Sequence, residues 1–134
     1  MKEEIKKIIN ENNVVLFMKG TRDFPQCGFS GMVAGVLKKF EVDFHDINVL
    51  DNNEMREGIK EYSDWPTIPQ LYIKGEFVGG ADIVKEMVGS GELLELFDSK
   101  DVKHNYSKND ELSISQLDAQ GDKDVAAKEE ESTS

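Results

Sequence analysis

Residues 14–40 read VVLFMKGTRDFPQCGFSGMVAGVLKKF, and their patterning decides the fold. Val14 to Met18 is a continuous apolar run, long enough for a buried strand. Gly20, Asp23 and Pro25 then mark a loop. Beyond it, Phe29, Met32, Val33, Val36, Leu37 and Phe40 recur at i, i+3, i+4, i+7, i+8 and i+11, one face of a helix of about three turns.

The same reading extends in both directions. Ile5, Ile8 and Ile9 fall at helical spacing within residues 2–11. Residues 42–47 suit a short strand. Asp51 followed by Glu54, ahead of Met55, Ile59 and Tyr62, predicts a capping box opening a third helix. Gln70 to Ile73 and Glu76 to Val78 flank Lys74-Gly75, a hairpin signal. Residues 82–88 and 92–97 read as short helices, with Gly89 as a C-cap. Strands separated by helices predict parallel pairing across a right-handed crossover, and the hairpin adds an antiparallel edge. The expected class is α/β: a thioredoxin-like, four-stranded mixed sheet flanked by helices. No internal repeat interrupts the pattern.

Composition divides the 134 residues in two. Residues 1–100 form one patterned domain. From there to Ser134 the chain is rich in Asp, Glu, Lys, Ser and Gln, and it finishes in Lys128-Glu129-Glu130-Glu131-Ser132-Thr133-Ser134. Too little apolar surface is present to offset ordering entropy, so residues 101–134 are expected to be a disordered acidic tail. Leu112, Ile114 and Leu117 could form at most a weak patch there.

Charge and cysteine usage exclude several functions. The net charge is −11, and no Lys/Arg block supplies the basic surface that nucleic-acid binding needs. Trp65 and Tyr72 accordingly read as packing residues rather than base-stacking platforms. No apolar run approaches the roughly 20 residues of a membrane span. With one cysteine, no intramolecular disulfide can form, which favours a reducing compartment. Met1-Lys2-Glu3-Glu4 resembles neither a signal nor a transit peptide, so the expected location is cytoplasmic. A chain trimmed of a transit peptide for mitochondrial matrix or plastid would look the same. His45 and His104 lack the neighbours a zinc site requires and read as solvated or structural.

Cys27 is the residue that carries chemistry. A lone cysteine is often an inert buried hydrophobe. Here Pro25 and Gly28 flank it, and no apolar periodicity includes position 27. At the first turn of a helix a thiol meets unpaired N–H groups and the positive end of the dipole, which favour thiolate. Cys27-Gly28-Phe29-Ser30 is a C-x-x-C frame with serine in the second position. A dithiol site releases its mixed disulfide through that second cysteine. Ser30 cannot do so, so any redox cycle needs a thiol from outside.

Further segments join this frame: Lys19-Gly20 after the first strand, Trp65-Pro66-Thr67-Ile68-Pro69 before the hairpin, and Gly79-Gly80-Ala81-Asp82 after it. Over residues 1–97, and most specifically in MKGTRDFPQCGFS and WPTIPQLYIKGEFVGGADI, the sequence resembles the CGFS-type monothiol glutaredoxins. The resemblance implies a glutaredoxin fold, a cis peptide bond before Pro69, and a glutathione groove.

It also implies roles. Cys27 would be the thiolate and the metal ligand. Lys19, assisted by Arg56, would bind the glycine carboxylate of glutathione; read alone, Arg56 is a solvated helix charge. Thr67, Ile68 and Pro69 would present backbone to the tripeptide as to an added strand. Gly79 and Gly80 would let backbone approach closely. Ala81 and Asp82 would receive the γ-glutamyl end at a helix N-terminus; read alone, Asp82 is a plain N-cap.

Members with this motif share one 2Fe-2S cluster between two protomers and two glutathiones. The cluster needs four thiolates and this chain offers one. The resemblance thus implies a homodimer when loaded and a monomer when apo, with BolA-like and cluster-recipient proteins as partners. The alternatives are a glutathione-dependent thiol–disulfide oxidoreductase acting in deglutathionylation, and a redox-sensing interaction module. Two departures from the family pattern stand out. Arg22 occupies a position where proline is usual, placing a cation near Cys27, and Ala81 occupies one where some members carry cysteine.

Overall fold

The computed structural model describes residues 1–105. The elements run α1 (Lys2–Glu11), β1 (Val14–Met18), α2 (Gly28–Lys39), β2 (His45–Asn48), a 3-10 turn (Val49–Asp51), α3 (Asn53–Ser63), β3 (Gln70–Ile73), β4 (Glu76–Gly79), α4 (Ala81–Ser90) and α5 (Glu92–Ser99). The four strands lie in the order β2-β1-β3-β4.

The apolar run of β1 is buried throughout because it is an inner strand of a sheet covered on both faces. Successive side chains point to opposite faces. Val14, Leu16 and Met18 pack with Val33, Leu37, Val84, Leu93 and Phe97 of α2, α4 and α5. Val15 and Phe17 pack with Ile5, Ile9, Met55 and Ile59 of α1 and α3. Phe17 and Tyr72 meet edge to face, their ring centroids 5.6 Å apart.

Pairing departs from expectation at one strand. β1 and β2 are parallel, with Leu16 opposite Asp46, and β3–β4 is the expected antiparallel hairpin. β3, however, runs antiparallel to β1, with Leu16 opposite Leu71. Arg56 and Lys60 of α3 line the same cavity as Lys19, which follows the end of β1. The helix therefore stays near the C-terminal ends of β1 and β2, and β3 starts there and runs back.

Local signals explain the remaining shifts. The cap of α3 is Asn52, not Asp51: its side chain accepts the N–H groups of Glu54 and Met55 at 3.0 and 3.1 Å. Asp51 lies in the preceding 3-10 turn. Helix α4 continues through Gly89 and stops at Gly91, whose φ of 83° is the left-handed conformation a glycine C-cap supplies. The hairpin turn is as expected, with positive φ at Lys74 and Gly75.

Residues 101–105, expected to begin the tail, pack against the domain instead. Val102 is buried in the α2/α4/α5 cluster, and the Asn105 N–H donates to the Phe40 carbonyl at 2.9 Å. His104 Nε2 lies 2.7 Å from Asp98 Oδ1, and its ring sits near Phe97. The Leu112, Ile114 and Leu117 patch and the rest of the expected tail lie outside the described residues.

Candidate functional site

Cys27 is the N-cap of α2, with extended φ and ψ of −149° and 135°, and is half-buried. Its carbonyl accepts the Gly31 N–H at 2.9 Å, and no acidic residue occupies the first turn. The thiol thus sits at a helix N-terminus whose unpaired N–H groups favour an anion.

The loop before it is a small closed hairpin. Gln26 N–H donates to the Lys19 carbonyl at 2.9 Å, while Thr21 and Phe24 exchange backbone bonds at 3.1 and 3.2 Å. Gly20 makes the closure possible: at φ 93°, any Cβ there would lie 2.5 Å from the Phe24 carbonyl oxygen. Ser30, in the second position of the C-x-x-S frame, is fully buried, and its hydroxyl accepts the Lys19 backbone N–H at 3.0 Å.

Helix α3 brings Arg56 and Lys60 to the same place, one turn apart on one side. Arg56 Nε is buried without a hydrogen-bond partner, an unused donor at the cavity edge. Lys60 also reaches Glu57 Oε2 at 3.5 Å.

The segment from Trp65 to Pro69 forms the next wall, with a cis bond between Ile68 and Pro69. It is braced from beneath by Gln70, a fully buried amide whose Nε2 donates to the Trp65 and Thr67 carbonyls at 3.1 and 3.2 Å. Tyr72 Oη donates in turn to Gln70 Oε1 at 3.3 Å. Burial pushes the Tyr72 phenol up to about 12; the Ser63 hydroxyl opposes this and Tyr62 adds to it.

Gly80 is the N-cap of α4, so Asp82 is a first-turn residue and not the plain N-cap of its simplest reading. A Cβ at Gly80 would come within 3.2 Å of the Pro69 carbonyl oxygen and of Trp65 Nε1, so the glycine keeps this corner narrow. Gly79 does something other than expected. It does not line the cavity, and a Cβ at its φ of 151° would collide with Ile83 at 2.6 Å, so its small size serves helix packing.

These walls enclose about 340 Å³. Each of Lys19, Cys27, Arg56, Thr67, Ile68, Pro69, Gly80, Ala81 and Asp82 borders it, so the structure brings these expected residues together and leaves out Gly79. Lys60, Trp65, Pro66, Phe29 and Ile83 border it too, beyond the residues to which the sequence assigns a role there. Lys60 could have been found from its i+4 spacing to Arg56; Trp65 had read as packing alone. In a chain of net charge −11, three cations gather here, and among the described residues Asp82 is the only carboxylate lining the cavity. The arrangement suits a ligand with a carboxylate at one end and an ammonium at the other.

One further expectation changes. Arg22 does not offer its cation to Cys27, because its guanidinium is engaged by Asp46 and by the Phe44 carbonyl and ring. His45 is exposed on β2 and His104 pairs with Asp98; neither borders the cavity. Among the described residues no three His, Cys, Asp or Glu side chains group as a metal site.

A thioredoxin-like sheet, one thiol capping its second helix and a cationic cavity beside it define a single-thiol protein of the thioredoxin-like class. Comparison narrows the class. The family model for glutaredoxin matches residues 14–78. The chain is 57% identical over 95 residues to monothiol glutaredoxin-S14, chloroplastic, of Arabidopsis thaliana, covering 71% of this chain and 55% of that protein. It is 60% identical over 89 residues to the probable monothiol glutaredoxin 2 of Rickettsia typhi, covering 66% of this chain and 80% of that one. Among solved structures it matches a monomeric truncated mutant of Trypanosoma brucei 1-C-Grx1, with a TM-score of 0.74 and 38% identity, over 80% of this chain and 97% of that one. The chain belongs to the glutaredoxin family, among its monothiol members. It spans little more than half the length of the Arabidopsis relative. No helix among the described residues is long and apolar enough to cross a membrane.

Proposed function

We propose that this protein binds glutathione in the cavity beside Cys27 and, with two glutathiones and a second copy of itself, holds a 2Fe-2S cluster for assembly or transfer. The observation that carries the reading is a single half-buried thiol bordering a cavity with three cations and one carboxylate. Lys19 and Arg56 take the glycine carboxylate through charge-assisted bonds. The Ile68 backbone pairs with the tripeptide. The first turn of α4 receives the γ-glutamyl carboxylate on its N–H groups, and Asp82 the ammonium. Glutathione held this way brings its own sulfur toward Cys27.

The donor set fits such a cluster only in this composite form. Four thiolates are needed, and the chain contains one cysteine. Two chains supply two, and two glutathiones supply the others. The loaded protein is thus a homodimer and the apo protein a monomer. BolA-like and recipient proteins are the expected partners, and the cytoplasm, a reducing compartment, suits the free thiol.

A second reading draws on the same half-exposed thiol: removal of glutathione from protein thiols. Cys27 thiolate attacks the glutathionyl sulfur, releases the protein thiolate and becomes glutathionylated; a second glutathione thiolate then attacks, leaving oxidised glutathione and free Cys27. Ser30, buried and without sulfur, cannot shorten the cycle.

Anaerobic reconstitution followed by size-exclusion chromatography and iron, sulfide and glutathione assays tests the proposal. A dimer with equal iron, sulfide and glutathione per chain is expected, and none from Cys27→Ser. Cluster formation in Cys27→Ser, or without a low-molecular-weight thiol, would falsify it.

A further inference from the structure

Outside the cavity, the densest set of polar contacts on the described surface converges on Arg22. Its backbone N–H donates to Asp46 Oδ2 at 2.9 Å and its Nε to Oδ1 at 3.4 Å. Its Nη2 donates to the Phe44 carbonyl, and the guanidinium carbon lies 3.9 Å from the centroid of the Phe44 ring. The Arg22 carbonyl accepts from Lys38 Nζ at 3.0 Å, and the same ammonium reaches Asp23 Oδ1 at 3.1 Å. A second tie to β2 lies close by, where the Gly20 N–H donates to Asn48 Oδ1 at 2.9 Å.

The loop so held joins Lys19 to Cys27, the cation and the thiol of the proposed site. A proline ring would limit such a loop by fixing φ. Arginine cannot do that. Its side chain instead binds the loop to the sheet edge at a carboxylate, a carbonyl and a ring, with the planar fork geometry that lysine lacks.

We propose that Arg22 is a positioning residue: by tying the 20–26 loop to Asp46 and Phe44 it sets the relation of Lys19 to Cys27, and so the cavity's fit to glutathione. The last step rests on the glutathione reading; the tethering of the loop does not.

The test compares wild type with Arg22→Ala, Asp46→Asn and Arg22→Pro. Three readouts are used: amide hydrogen exchange over residues 20–27, the rate of Cys27 alkylation by iodoacetamide, and glutathione affinity by calorimetry. Thermal melting is recorded alongside. In Arg22→Ala, exchange of the loop amides accelerates, the alkylation rate changes, and glutathione binding weakens by about three- to fivefold, the scale of a partly exposed ion pair. Asp46→Asn moves in the same direction by less, because its amide oxygen still accepts the Arg22 N–H. Arg22→Pro restores affinity and protection only in part, because its ring supplies stiffness covalently but removes the N–H that donates to Asp46.

Unchanged exchange, alkylation and affinity in Arg22→Ala overturn the proposal. So does a loss of affinity with no change in exchange over residues 20–27, since the side chain would then act otherwise than by holding the loop. Should Arg22→Ala not fold, Asp46→Asn decides by the same readouts. If wild type binds no glutathione, the glutathione reading fails, and exchange and alkylation still decide the tether.

Discussion

The buried Ser30 hydroxyl accepts the Lys19 backbone N–H at 3.0 Å, joining the first turn of α2 to the residue that follows β1. Where a dithiol site would keep its second sulfur, this protein keeps a brace. Ser30→Ala leaves that part-buried N–H without its partner and should cost about 0.5–1.5 kcal/mol of stability. Ser30→Cys should also destabilise, because sulfur is a weak acceptor. Urea unfolding checks both; a midpoint equal to wild type in Ser30→Ala would show the bond contributes nothing.

Gly20→Ala should be among the most damaging loop substitutions. The position combines φ of 93° with a Cβ site 2.6 Å from the Gln26 nitrogen and 2.9 Å from Pro25 Cα, all backbone atoms that cannot swing aside. A loss of about 1–3 kcal/mol is expected from the strained conformation alone. Thermal melting measures it. A melting temperature within experimental scatter of wild type would mean the loop reshapes freely.

Glutathione affinity should fall by about 1–3 kcal/mol in each of Lys19→Ala and Arg56→Ala, the range for a charge-assisted bond lost. Lys60→Ala should cost less, because Lys60 shares its ammonium with Glu57. Titration calorimetry orders the three, and the expected ranking is lost if Lys60→Ala proves the weakest binder.

Alkaline pH should expose the buried phenol of Tyr72. Its pKa in the folded protein is about 12, against roughly 10 for an exposed tyrosine. The unfolded chain therefore loses the proton first. The stabilisation is fully present below pH ~10 and is lost as pH rises toward ~12. Urea midpoints across that window should fall more steeply in wild type than in Tyr72→Phe, which has no phenol to ionise. Parallel slopes would disprove the assignment.

How far the sequence could be read depended on the kind of signal. Apolar periodicity located β1 and α2 and placed Cys27 at the helix start, because burial imposes those periods on consecutive residues. The two motifs brought together most of the cavity residues because each is a contiguous string, while Arg56 and Lys60 of α3 lie outside both. Contacts between distant polar residues left no such trace. Nothing in Gln70 as a letter says that its amide braces Trp65 and Thr67, and nothing in Arg22 says that it turns to Asp46 rather than to Cys27. The antiparallel course of β3 escaped for a related reason: a helix between two strands fixes that a crossing occurs, not at which end of the sheet it finishes. Val102 was missed because one apolar residue in a polar stretch has no period, although it fills a place beside the domain core.

The bond from Asn105 N–H to the Phe40 carbonyl fixes where the described chain departs. Phe40 caps the end of α2, and Cys27 caps its start. Twelve helical residues separate them, about 18 Å at 1.5 Å per residue. The described chain therefore leaves the domain at the pole opposite the thiol. A reporter placed on Asn105 thus stands at the far end of α2 from the thiol and would register the meeting of two copies without standing between them.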